Sequence, residues 1–330
     1  MKKNLIVTLA NEPFLDQAKQ VFSSIYWNAG WKGDYMLLAH DVPERKLAWF
    51  REKGILVRKC KPIFKNAGMP LEVLLSKYYL FKPEFKKWNA VVFLDADTMV
   101  NASLDGLTKV RGFAAPESEM FLEKIKGPFL MRLMNIDKGI FEELKKEYNL
   151  NKRPFCSGVM AFNTEIIKKD TFKKLIGLYK KYGMLSECYD EMALNLLFYR
   201  NFKKVPDAYN IYPFFFTSRG IEKENMFGAI LHFVIEKPWI PGAIFYKEWK
   251  QSLDRADLIN LKNRPKAAKV LSKEEIEKCG KLYNSMLHKP RNLKKIFADS
   301  KMTIDRHMGL FGIYLKYRHN WLYRLLKRLK

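Results

Sequence analysis

Short apolar runs alternate with amphipathic stretches through the first hundred of the chain's 330 residues. Leu5–Leu9 is an unbroken β-forming run, the pattern of a strand covered on both faces. From Phe14 to Trp27, the apolar positions Phe14, Ala18, Val21, Phe22 and Ile25 recur at helical spacing. Tyr35–Ala39 repeats the strand signal, Glu44–Lys53 reads as a short helix stopped by Gly54, and Ile55–Arg58 reads as a third strand. Leu71–Phe85 is helical in pattern, and Ala90–Leu94 is a fourth strand. Such alternation predicts a mostly parallel sheet with right-handed crossovers.

The later chain is less regular. Phe113–Ala115 reads as a strand halted by Pro116, and residues 119–148 as a basic, Met-rich helical insertion. Ser157–Phe162 is a strand; Phe172–Tyr182 and Asp190–Phe202 are helices; Tyr209–Phe214 and Ala229–Val234 are short strands. No internal repeat is present. From about Leu253 the chain turns Lys-rich and helical, which places a main α/β domain at 1–252 and a helical, basic region at 253–330.

The formal net charge is +25, which implies an anionic partner: nucleic acid, an acidic membrane or a phosphorylated substrate. The charge is concentrated: residues 289–330 carry twelve Lys and Arg against Asp299 and Asp305, a net +10. Cys60, Cys156, Cys188 and Cys279 lack metal-ligand spacing, which suits free thiols in a reducing compartment. Met1-Lys2-Lys3 opens like a signal peptide, but the apolar run that follows is too short and is broken by Asn11-Glu12-Pro13. No apolar run approaches the roughly 20 residues of a spanning helix, so a cytoplasmic location is expected.

The most informative stretch is Val91–Thr98, where a strand of β-formers ends in Asp95 and Asp97. Spaced i, i+2 at the carboxyl end of a strand, both acids can face one hard cation in an open crevice; two acids after a strand also serve as turn formers or as a helix cap. His232-Phe233 precedes Lys237-Pro238-Trp239: an imidazole can complete an oxygen-rich Mn²⁺ site and a lysine can meet a phosphate. The plain reading is a packed loop with a solvated lysine. Asp190-Glu191 opens a helix, where acids favour the dipole, or where two carboxylates can order the hydroxyls of a sugar and steady a positive anomeric carbon.

Taken in order, Val7-Thr8-Leu9-Ala10-Asn11, Ser76-Lys77, Phe93-Leu-Asp-Ala-Asp-Thr98, Ala114-Ala-Pro116, Cys156-Ser-Gly-Val159, Asp190-Glu-Met-Ala-Leu-Asn195 and His232-Phe233 with Lys237-Pro-Trp239 form one set. The set resembles the glycogenin-like family 8 of retaining glycosyltransferases, which includes bacterial galactosyl- and glucosyltransferases that build lipopolysaccharide. The resemblance covers roughly residues 4–250. It implies a GT-A fold, a mixed sheet flanked by helices, and transfer of a hexose from a UDP-sugar to a saccharide acceptor. By the same resemblance, Asp95, Asp97 and His232 hold Mn²⁺ or Mg²⁺ on the diphosphate. Leu9, Ala10, Asn11 and Phe14 line the uridine pocket, with Ala96 beside the donor. Lys237 meets a phosphate, Lys77 reaches the diphosphate or sugar, and Ser157, Asp190 and Glu191 contact the donor sugar, with Asp190, Glu191 and Lys77 in catalytic roles. Three positions depart from the family's habit: Glu191 stands where Gln is common, Cys156 where Asn is common, and Ile235 where Gly is usual.

Residues 309–330 have the spacing of an amphipathic helix, with Leu310, Phe311, Tyr314, Trp321, Leu322, Leu325 and Leu329 on one broad face and Lys316, His319, Arg324, Lys327 and Lys330 opposite. Trp, Tyr and Leu backed by Lys and Arg suit a helix lying in an anionic interface, here the inner face of the cytoplasmic membrane, and imply a lipid-linked acceptor. The alternative is a terminal helix docked on the catalytic domain. Nucleic-acid binding is not expected, because no recognition motif accompanies the charge. Two further classes stand as rivals: a catalytically silent scaffold that keeps the fold, and a sugar nucleotidyltransferase, against which the chain lacks a Gly-rich triphosphate loop near residue 10.

Overall fold

The computed structural model describes residues 2–64, 72–118, 138–149, 153–183, 189–234 and 236–287. Strand β1 (Leu5–Ala10) leads into helix α1 (Leu15–Ser24), which continues as a wider π-turn stretch over Ile25–Ala29 and stops at Gly30 in the left-handed region. Next come β2 (Asp34–His40), α2 (Ala48–Glu52), β3 (Leu56–Cys60), α3 (Glu72–Leu75), β4 (Ala90–Asp95) and β5 (Thr98–Val100). The chain goes on through α4 (Asp105–Thr108), β6 (Phe113–Ala115), α5 (Lys138–Glu147), β7 (Val159–Asn163), α6 (Thr171–Tyr182), α7 (Tyr189–Phe198) and β8 (Phe202–Lys204). It closes with α8 (Pro213–Thr217), β9 (Ile230–His232), α9 (Tyr246–Asp254) and α10 (Lys273–Leu287).

Among the described residues, seven strands form one mixed sheet in the order β3-β2-β1-β4-β7-β6-β8. The first four are parallel, as the strand–helix alternation requires, and β7 runs antiparallel to both β4 and β6. Successive residues of the central strands enter opposite cores. Ile6, Val92 and Leu94 pack with Val21, Phe22 and Phe50, while Leu5, Val7 and Phe93 pack with Phe81, Phe162 and Leu194. Both faces are covered, which is why these strands read as continuous apolar runs.

Several elements differ from their sequence expectation. The helical stretch at 71–85 is one turn of α-helix followed by 3₁₀ turns at Ser76–Phe81 and Pro83–Lys87, since Pro83 holds Lys82 extended. The helix expected over 190–202 ends at Phe198, and Phe202 instead joins a parallel edge strand beside β6. Tyr209–Phe214 is not a strand: a 3₁₀ turn over Asp207–Tyr209 and a single bridge at Ile211 precede α8, which Pro213 opens. Strand β5 was not visible in the sequence; it pairs antiparallel with β9, setting Thr98 opposite His232.

Of the basic insertion at 119–148, residues 119–137 lie outside the described residues, as do Cys188, Ile235 and the whole of 288–330. The part that is described forms α5, whose Leu144 is buried with Tyr182, Met192 and Leu196. Residues 255–271 lie along α1 and the turn after it. The Tyr26 hydroxyl donates to the carbonyls of Asn260 and Asn263, and the Ala268 N–H donates to the carbonyl of Asn28. Helix α10 buries Cys279, Tyr283 and Met286 in a cluster with Phe216 and Met226. No helix among the described residues is long and apolar enough to cross a membrane.

Candidate active site

The carboxyl ends of β1 and β4 and the start of β7 meet at one end of the sheet. Leu9 is in register with Asp95, the last residue of β4, and the Asp95 N–H donates to the Gly158 carbonyl at 2.8 Å. Asp97 does not lie on that strand. It sits in the tight turn between β4 and β5, where the Thr98 hydroxyl donates to the Asp95 carbonyl and the Phe233 N–H donates to the Asp97 carbonyl at 2.8 Å. The two acids therefore converge through a turn and the β5–β9 pairing, rather than through the two-residue period of a strand.

That pairing delivers His232, and one ligand atom from each of Asp95, Asp97 and His232 falls within 4.8 Å of the others. His232 Nε2 is 3.2 Å from Asp97 Oδ1, and the Lys237 ammonium donates to Asp97 Oδ2 at 2.6 Å and to the Phe233 carbonyl at 2.7 Å. The Asp97 carboxyl is held well below the usual carboxylate range: burial works against its charge, but Lys237 and His232 overcome it. The Asp95 carboxyl is pushed up by burial, an effect that Lys77 only partly offsets and Asp97 reinforces.

A second group adjoins the first through Lys77. Only 2% exposed, the Lys77 ammonium lies 3.0 Å from Asp95 Oδ1 and 2.9 Å from Asp190 Oδ2, and also donates to the Ser157 hydroxyl at 3.1 Å. Burial opposes its charge, yet Asp190 and Asp95 outweigh that and raise its affinity for the proton. The Ser157 hydroxyl donates to Asp190 Oδ2 at 2.7 Å, and the Ser157 N–H donates to Glu191 Oε1 at 2.8 Å. Burial, with Asp190 alongside, pushes the Glu191 carboxyl up to about 8, so it holds its proton at neutral pH. Glu191 Oε2 is buried and has no partner among the described residues.

The residues expected at the nucleotide surround the same end of β1. Leu9 and Ala10 are buried at the strand's end, and Ala96 is buried between the two acids. Asn11 follows with its Oδ1 buried and unpartnered. Phe14 is exposed and stands edge-on to Trp239, ring centres 6.2 Å apart. The chain thus draws Asp95, Asp97, His232, Lys237, Lys77, Ser157, Asp190 and Glu191 into two linked clusters, with the β1 residues and Phe14 beside them. Gly158, Asn210 and Tyr212 also belong here and were not singled out from the sequence. A Cβ on Gly158 would stand 2.2 Å from His232 Cε1 and 2.9 Å from Asp95 Oδ2, so only glycine fits beneath the cluster. Gly158 carried a weak signal inside Cys-Ser-Gly-Val; Asn210 and Tyr212 carried none.

The residues present suit a divalent cation. Two carboxylates and an imidazole offer the oxygen–nitrogen donor set that Mn²⁺ accepts, and a glycine cradle keeps the space clear. Among the described residues, Asp95 and Asp190 share the Lys77 ammonium, and Asp97 pairs with Lys237 and His232.

The mixed sheet flanked by helices is the GT-A architecture. Glycosyl transferase family 8 matches residues 6–241, and the chain belongs to that family. Among solved structures it is similar to the galactosyltransferase LgtC in complex with donor and acceptor sugar analogs, at 16% identity and a TM-score of 0.54, over 76% of this chain and 95% of that one. It is also similar to the apo form of the glycosyltransferase GlyE of Streptococcus pneumoniae TIGR4, at 18% identity and a TM-score of 0.54, over 88% of this chain and 66% of that one. A third likeness is to WbbM, a bifunctional glycosyltransferase, at 15% identity and a TM-score of 0.53, over 84% of this chain and 52% of that one. No curated protein sequence matches the chain.

Proposed function

We propose that this family 8 enzyme is a retaining hexosyltransferase that moves glucose or galactose from a UDP-sugar to a lipid-linked saccharide such as a lipopolysaccharide core. The observation that carries the reading is the junction at Asp95. One carboxylate joins the Asp97, His232 and Lys237 cluster, suited to a metal and a diphosphate, to the Lys77, Ser157, Asp190 and Glu191 cluster, suited to a sugar. Asp95, Asp97 and His232 would hold Mn²⁺ or Mg²⁺, which when bound would neutralise charge developing on the departing UDP. Lys237, drawn toward Asp97, would add a point charge at the phosphates. Lys77, enclosed by two acids, would fix the metal-side and sugar-side carboxylates at a set separation. The Asp190 carboxylate would steady positive charge at the anomeric carbon, and the unpartnered Oε2 of Glu191 would meet a sugar hydroxyl. Asn11 Oδ1, Leu9 and Ala10, with Phe14 as a stacking edge, would receive the uridine.

We further propose that 1–252 is the catalytic unit and that 309–330 holds it on the inner face of the cytoplasmic membrane through its basic, aromatic-rich composition. UDP release measured with Mn²⁺ across a panel of UDP-sugars tests the reading. One hexose donor should be turned over, and Asp97→Asn should reduce the rate at least about 100-fold. Failure of every UDP-sugar to bind, together with an unaltered Asp97→Asn variant, would defeat it.

A further inference from the structure

His232 is held from behind. Its Nδ1 lies 2.9 Å from Asn210 Oδ1, and both residues are buried. The amide's other end donates from Nδ2 to the Tyr212 hydroxyl at 2.7 Å, with Oδ1 toward the imidazole. The Tyr212 hydroxyl in turn bonds to the Cys156 thiol, and the Gly158 N–H reaches the same sulfur at 3.4 Å. The Tyr212 ring also lies across His232 at 5.4 Å between centres. The donors therefore run in one direction: His232 Nδ1–H to Asn210, Asn210 Nδ2–H to Tyr212, and the Tyr212 hydroxyl to Cys156. With Nδ1–H directed at Asn210, Nε2 is the ring nitrogen left to face Asp97 and any cation held beside it.

We infer that Asn210, Tyr212 and Cys156 form a buried relay that sets the tautomer and ring orientation of His232 for metal binding. Asn210 is thereby a positioning residue, and Cys156 serves the metal side of the site rather than the sugar. The inference rests on the metal reading above and adds to it three residues that touch neither metal nor sugar. It also accounts for a thiol, a poor sugar ligand, at position 156: sulfur is a sufficient terminal acceptor for a phenol and a backbone N–H.

The test reads Mn²⁺ affinity of the full chain by electron paramagnetic resonance of free Mn²⁺, alongside urea denaturation of the metal-free protein. Asn210→Leu should weaken Mn²⁺ binding about 10- to 100-fold, the usual effect of losing a partner that orients a metal-ligating histidine. Asn210→Asp, which keeps an acceptor for Nδ1, should restore most of it. Tyr212→Phe and Cys156→Ala, which keep the packing and cut the relay further out, should give smaller losses in that order. Nitrogen-15 spectra of the imidazoles should place the His232 hydrogen on Nδ1 in the wild type and redistribute it in Asn210→Leu. If Asn210→Leu does not fold, Tyr212→Phe and the wild-type tautomer still decide the matter. Wild-type Mn²⁺ affinity in Tyr212→Phe and in any folded Asn210→Leu, or a His232 without a hydrogen on Nδ1, overturns the relay alone. No Mn²⁺ binding by the wild type overturns the metal reading itself.

Discussion

At the scale of single residues, the site depends on atoms that are missing as well as on those present. Gly158 leaves the space into which His232 and Asp95 project. Gly158→Ala should displace the imidazole, lower stability by about 1–3 kcal/mol and weaken Mn²⁺ binding about tenfold or more, read by denaturation and metal titration. Glu191 carries a separate prediction. Its folded carboxyl titrates at about 8 against an ordinary 4.5. Between those values the unfolded chain has lost the proton and the folded chain keeps it, so this group's stabilising contribution falls as pH rises through the window. Glu191→Gln removes that dependence. The variant's stability relative to wild type should rise by about 2–4 kcal/mol from pH 5 to pH 8. A constant difference across that range in urea titrations would show that the carboxyl is not held neutral. The residue types at Asp95, Asp97, His232, Lys237, Asp190 and Glu191 were legible from the chain because charged groups beside apolar runs stand out. Asn210 and Tyr212 were not, because an amide and a phenol in an apolar stretch look the same whether or not they orient a histidine.

At the scale of elements, short pairings do the positioning. Strands β5 and β9 have three residues each, too few to leave a periodic signal, yet their register sets Thr98 opposite His232 and so places the imidazole beside Asp97. The long strands β1, β2 and β4 were plain in the sequence, because strands buried on both faces must be apolar throughout. Helix α1 and its π-turn extension end at Gly30, whose φ of 61° favours glycine, and a Cβ there would stand 2.3 Å from the backbone nitrogen of Ala267. Gly30→Ala should cost about 1–3 kcal/mol and loosen the 260–271 segment from α1, seen as faster limited proteolysis within it. Unchanged cleavage rates would show that the segment is held independently of this contact.

At the scale of the whole molecule, the charge and the site lie at different places along the chain. The candidate-site residues fall between Leu9 and Lys237, whereas a net +10 falls in 289–330. Residues 255–287 are packed against α1 and the α8–β9 region, so the protein continues its fold well past the active-site segments. Removing 309–330 should lower binding to anionic vesicles at physiological salt while leaving donor hydrolysis in solution intact. Equal vesicle binding by the shortened and full chains would end the membrane assignment.

The sequence by itself determined the parallel half of the sheet, the family resemblance, and the residue types of the candidate site. Each of these rests on local information: apolar periodicity, or charged residues at the ends of β-forming runs. The tertiary structure decided that Asp97 arrives through a turn, that Phe202 returns to the sheet, that Lys77 bridges Asp95 and Asp190, and that Cys156 lies in a hydrogen-bonded chain behind His232. These are contacts between segments up to 140 residues apart, as between Asp97 and Lys237. Such contacts are selected by how the cores close and how the strand edges pair, and no local pattern encodes that choice.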